Sequence, residues 1–184
     1  EAIPLLFSLH PLEVNINLYN THVHLPELNE MPFISPLHPL ATASYKFKLI
    51  ESFKENEQII YKIEIIPRRP ADALFGGHIY LVDEEWAIKA VDLSLPKQAL
   101  SIYNKMQFLQ NYAKDENQTW LCEREEFFYE STDEEVTFIG NTIIYYSDYN
   151  VNAQFDKNTF KGEVSKTEKD AVSNSTALLN KYRP

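Results

Sequence analysis

The stretch from Tyr61 to Leu95, YKIEIIPRRPADALFGGHIYLVDEEWAIKAVDLSL, constrains the fold of this chain more than any other. Tyr61, Ile63 and Ile65 alternate with Lys62 and Glu64 until Pro67 ends the run. Successive side chains of an extended strand point to opposite sheet faces, so this alternation describes a half-buried strand. A second run, Gly77–Val82, follows the Gly76-Gly77 pair. Asp83-Glu84-Glu85 then separates it from a third, Trp86–Leu93. Three short strands bounded by proline, glycine and acids predict antiparallel pairing through hairpins.

The same period continues on both sides. Tyr45, Phe47 and Leu49 alternate with Lys46 and Lys48. The polar Lys54-Glu55-Asn56-Glu57 stretch then predicts a hairpin loop of about four or five residues. Beyond a connector at 96–101, three more strands are expected at Tyr103–Tyr112, Thr119–Phe128 and Val136–Tyr146, separated by polar turns. The fold class is mainly β: a twisted antiparallel meander over 44–149, as a curved sheet or half-barrel. The proline-rich residues 1–40 form an extended lead-in, with an edge strand at Glu13–Leu18. Residues 166–182 form a C-terminal helix, with a thin apolar side at Ala171, Leu178 and Leu179. One β-rich domain spans residues 1–184, a length that can bury one core.

Charge narrows the partners. A formal net charge of −10 is opposite in sign to the basic footprint that nucleic acid requires, and it disfavours docking on an anionic bilayer through a basic patch. No apolar run approaches the roughly 20 residues of a spanning helix. A chain opening on Glu1 is expected to be a processed or excised piece of a longer one. The single Cys122 permits no internal disulfide and leaves the redox compartment open.

Candidate chemistry is sparse. His22 and His24 stand at i and i+2, on one face of an extended segment, and could begin a zinc site for a metal-dependent hydrolase. His10, His38 and His78 do not complete a recognised ligand spacing, so the pair is read as structural. The acid pairs Glu84-Glu85, Glu125-Glu126 and Glu134-Glu135 point apart on a strand or turn and read as solvated hairpin loops. Cys122 lacks a Cys–His pattern and reads as a small buried group. Arg68-Arg69 reads as an exposed turn. No cofactor motif is present in the sequence.

Several strings together resemble one family. They are Ile34-Ser35-Pro36-Leu37, Tyr45-Lys46-Phe47, Tyr61-Lys62-Ile63 to Ile66-Pro67-Arg68-Arg69, Leu74-Phe75-Gly76-Gly77-His78-Ile79-Tyr80-Leu81-Val82-Asp83, Trp86-Ala87-Ile88 and Tyr182-Arg183-Pro184. They resemble the middle region of an uncharacterised Bacteroidetes envelope family, whose members carry an N-terminal carboxypeptidase-regulatory-like β-sandwich and a C-terminal outer-membrane barrel. The likeness spans about Ser35 to Pro184. The run from Gly77 through Asp83 to Trp86-Ala87-Ile88 is also similar to the curved-sheet lipoprotein carriers and sensors of the periplasm. The resemblance implies a periplasmic or outer-membrane location and further domains on the same longer chain. It brings no catalytic residues.

The expected function is therefore a non-enzymatic binding or scaffold module of an envelope protein. Tyr45, Phe47, Tyr61, Ile63, Ile65, Ile79, Leu81, Trp86 and Ile88 are expected to share one concave face. If the C-terminal helix covers it incompletely, Tyr45, Phe47, Tyr61 and Trp86 would line an apolar groove. Its occupant would be a lipid, an acyl chain or a peptide of an envelope protein.

Overall fold

A computed structural model describes residues 16–26, 28–100, 103–133, 136–151 and 153–156. The chain divides into two compact units, Glu1–Asp148 and Tyr149–Pro184. The first contains every strand described here. In it, β1 (His22–Val23) and β2 (Phe33–Ile34) form a small antiparallel pair. A four-residue helix, α1 (Ala41–Ser44), leads into a seven-stranded antiparallel sheet. Its strands are β3 (Tyr45–Glu55), β4 (Gln58–Pro67), β5 (Gly76–Val82) and β6 (Ile88–Leu95), followed by β7 (Lys105–Lys114), β8 (Trp120–Asp133) and β9 (Val136–Tyr145). They lie side by side in sequence order, an open meander with β3 and β9 as its edges. Among the described residues no helix is long and apolar enough to cross a membrane.

The turns differ from the sequence reading where backbone geometry decides them. The β3–β4 connection has two residues, Asn56 and Glu57, rather than four or five. Their φ values of 45° and 69° give the left-handed turn that matches strand twist. Trp86 does not begin β6. It sits in the β5–β6 turn at φ 54°, its N–H donating to the Val82 carbonyl at 2.9 Å. At the β7–β8 turn, the Asp115 carboxylate accepts the Asn117 and Thr119 N–H groups at 2.9 and 2.8 Å. At the far end, Gly77 (φ 133°), the second residue of β5, lies so close to β6 that an added Cβ would meet the Asp92 carbonyl.

Each of these three hairpins also carries one extra residue, Ile50, Lys89 or Glu123. Such bulges increase local twist and bend the bulged strand. Accordingly the sheet is curved, and Lys89 on β6 reaches Glu55 on β3 at 3.5 Å, past two intervening strands.

One face of the sheet carries the core. Ile65, Ile79, Val91, Leu93, Phe108 and Phe127 are buried there, with Ile79 opposite Val91 and with Leu93, Phe108 and Phe127 in one cross-strand row. What covers them is the N-terminal segment, through Ile16, Leu18, Val23, Leu25, Leu28 and Phe33, all within the same buried cluster. The described part of the proline-rich lead-in thus supplies one wall of the core. Phe33 lies 5.3 Å from Phe75, which meets Phe108 edge-on at 5.6 Å. Burying each such chain contributes about 1.5–3 kcal/mol, which offsets the cost of ordering an irregular segment. In the expected edge strand at Glu13–Leu18, Ile16 and Leu18 are buried, but 16–18 is not a strand, and residues 13–15 lie outside the described residues. The expected helix over 166–182 lies outside them too.

Candidate binding surface

The four residues expected to line a groove separate into two pairs. Tyr45 and Phe47 stand 6.1 Å apart, and Tyr61 and Trp86 stack at 6.2 Å with ring planes 16° apart. Tyr45 is wholly buried. Its hydroxyl donates to the Ile34 carbonyl and accepts the Phe75 N–H at 3.1 Å. Burial raises its pKa above the ordinary tyrosine value. It is an internal clamp between β2, β3 and the entry to β5. Phe47 is exposed on the β3 edge, with Leu49 beyond it on the same face. Trp86 is 64% exposed.

Trp86 is held out by the turn beneath it. The neighbouring Glu85 accepts three side-chain hydrogen bonds: from Gln58 at 2.9 Å, Lys114 at 2.8 Å and the Trp120 indole at 2.8 Å. One carboxylate therefore ties all three hairpins of this end together. Lys114 and Trp120 hold its pKa below the ordinary glutamate value. Lys89 and Lys114 also lie over the Trp120 ring, 5.7 and 5.4 Å from its centroid. On the sheet face away from the core, this end encloses a half-open hollow of about 360 Å³. Its lining includes Phe53, Ile60, Tyr80 and Lys89, over a floor of Ala90 and Ala113.

A second arrangement overturns the reading of Glu125-Glu126 as a solvated loop. Both lie within β8 and both are buried. Glu125 faces the core, where it accepts hydrogen bonds from Gln110 and from the Tyr146 hydroxyl at 2.6 Å. Gln110 also donates to the Ile16 carbonyl at 2.6 Å and accepts the Tyr112 hydroxyl at 3.1 Å. Glu126 faces the other way, bound by Arg124 and by Asn141 at 2.9 Å. The sequence did contain a signal. Gln110 is in phase with Met106 and Phe108, and Glu125 with Phe127 and Tyr129. These are polar residues at inward positions of adjacent strands.

The remaining candidates disperse. His22 contacts His38 ring to ring at 5.5 Å, while His24 is exposed. Among the described residues, no three His, Cys, Asp or Glu side chains gather to hold a metal ion. Arg68 and Arg69 are exposed in the β4–β5 connection; Arg68 donates to the Thr42 and Tyr45 carbonyls, and Arg69 pairs with Asp72 at 2.9 Å. Cys122 is half-buried, its thiol pushed up to about 12 mainly by desolvation.

Both edges of the sheet carry exposed apolar side chains. On β3 these are Phe47, Leu49, Ile50 and Phe53; on β9 they are Val136, Phe138, Ile139, Ile143 and Tyr145. Fold and surface together define an open, curved antiparallel sheet with its core face closed by its own N-terminal segment. This chain belongs to the family of unknown function DUF5686, whose model matches residues 6–149. The match takes in most of the N-terminal segment, in keeping with that segment's place in the core. No curated protein and no solved structure matches the chain.

Proposed function

We propose that this chain is a non-enzymatic binding or scaffold module of a cell-envelope protein. In this reading it is the middle region of a longer polypeptide with a carboxypeptidase-regulatory-like domain before it and an outer-membrane barrel after it, placed in the periplasm or at the outer membrane. The observation that carries the binding role is β9. Its ten residues include no charged side chain, and Ile139 and Tyr145 are 81% and 73% exposed. An edge strand normally carries charge, proline or a cover that blocks further pairing. An apolar edge of this length, with no further strand paired to it among the described residues, suits strand addition, in which backbone hydrogen bonds supply affinity and alternate side chains supply selectivity. The partner we assign is an extended segment from another domain of the same longer chain.

Amide hydrogen exchange tests this reading on the 184-residue chain and on the longer protein. Added protection along β9 in the longer protein is expected, lost in an Ile139→Lys, Ile143→Lys variant that keeps its melting temperature. Equal exchange of β9 in both proteins would overturn the strand-addition reading. A fatty acid titrated against the chain tests the lipid alternative, since residues 16–33 already occupy most of the face where a groove was expected.

A further inference from the structure

The hairpin end has a charge pattern that its own residues leave unbalanced. Lys54, Lys62, Lys89 and Lys114 are each ion-paired, to Glu57, Glu51, Glu55 and Glu85 respectively. Asp83, Glu84, Glu116 and Glu123 at this end have no such pairing among the described residues, and Glu84 is exposed beside Trp86.

Trp120 illustrates how this end satisfies an indole. Lysine cations lie over its ring, and a carboxylate, Glu85, both neutralises Lys114 and accepts the indole N–H. Trp86 has acids beside it but a different partner for its ring. Tyr61 stacks with its ring, and Asp83 and Glu84 precede it in the same turn. Its ring is otherwise turned largely to solvent. The cation is the part that this chain does not supply among its described residues.

We propose that the Trp86–Tyr61 stack with Asp83 and Glu84 is a docking surface for a basic segment of a partner protein, an Arg or Lys side chain resting on the outer face of Trp86. A cation over an indole is attracted by the ring quadrupole, and Arg stacks there best. The acid flank and the net charge of −10 select a basic protein segment over an anionic membrane surface. The surface lies at the hairpin end, so it does not depend on strand addition at β9.

The test follows the two indole N–H resonances of the ¹⁵N-labelled chain while an acetylated peptide of alternating arginine and serine is added. The Trp86 signal is expected to shift saturably while the Trp120 signal stays in place. Trp86→Ala should weaken binding about tenfold and Glu84→Gln about threefold, whereas Trp86→Phe should retain most of it. Because Trp86 is exposed, these variants should melt as the parent does, and melting curves verify it. Equal affinity of Trp86→Ala and the parent would overturn the proposal, as would peptide binding that leaves the Trp86 signal unmoved. Stronger binding to phosphatidylcholine vesicles than to the peptide would overturn the class of partner.

Discussion

Gln110 on β7 and Glu125 on β8 face each other directly across the ladder, on the buried side of the sheet. Through Gln110 the same pair holds the Ile16 carbonyl of the N-terminal segment. Burial keeps the Glu125 carboxyl above the ordinary glutamate range, although the Tyr146 and Gln110 hydrogen bonds pull it down. The folded protein therefore holds this proton more tightly than the unfolded chain. The contribution is fully present below the ordinary glutamate value and is lost as pH rises from there through the raised value. Glu125→Gln should match the parent under acidic conditions and exceed it at neutral pH by about 1 kcal/mol. Urea midpoints at the two pH values check this; a variant destabilised equally at both would refute it.

The N-terminal segment should be as costly to damage as any strand. Phe33 is fully buried against Phe75. Phe33→Ala is expected to lose about 3–5 kcal/mol in urea unfolding, whereas truncating the exposed Met31 should lose well under 1 kcal/mol.

Tyr103 carries the opposite expectation. It is 1% exposed, and its hydroxyl finds no partner among the described residues. Burial, with Tyr129 nearby, pushes its pKa up to about 12. Tyr103→Phe should be neutral or stabilising by up to about 1 kcal/mol, read from the thermal midpoint.

Cys122 should be slow toward thiol reagents at neutral pH. With its pKa pushed up to about 12, little thiolate is present to react. Disulfide-reagent kinetics in buffer and in denaturant should differ by at least about tenfold. Equal rates would mean that the thiol is open in the folded state.

Gly77→Ala should be among the most damaging small substitutions. Its φ of 133° is closed to side-chain-bearing residues, and the new methyl would meet the Asp92 backbone. A loss of more than about 2 kcal/mol is expected from urea unfolding.

The strands themselves were legible because their signal is local. Alternation between Tyr61 and Ile65, or between Tyr45 and Leu49, depends only on the period of two, and the turn residues between the runs set their order. The site residues were only partly legible. Tyr61 and Trp86 do meet, yet Trp86 reads as a strand residue in sequence because positive φ at a bulky residue has no sequence signature of its own. Glu85 reads in sequence as one solvated acid among several, since its donors lie 27, 29 and 35 residues away. The burial of Glu125 and Glu126 likewise depended on which neighbours the sheet brought over them.

The sequence by itself determined a meander of antiparallel strands, the acidic balance and the sites of the turns, because each follows from side-chain period, backbone preference or charge within a few residues. Only the tertiary structure decided that residues 16–33 close the core face, that three bulges bend the sheet until Lys89 reaches Glu55, and that Trp86 is left outside while Tyr45 is sealed within. Those outcomes depend on contacts between segments far apart in the chain. No local pattern encodes them, because the free energy of burial depends on what arrives to cover a residue.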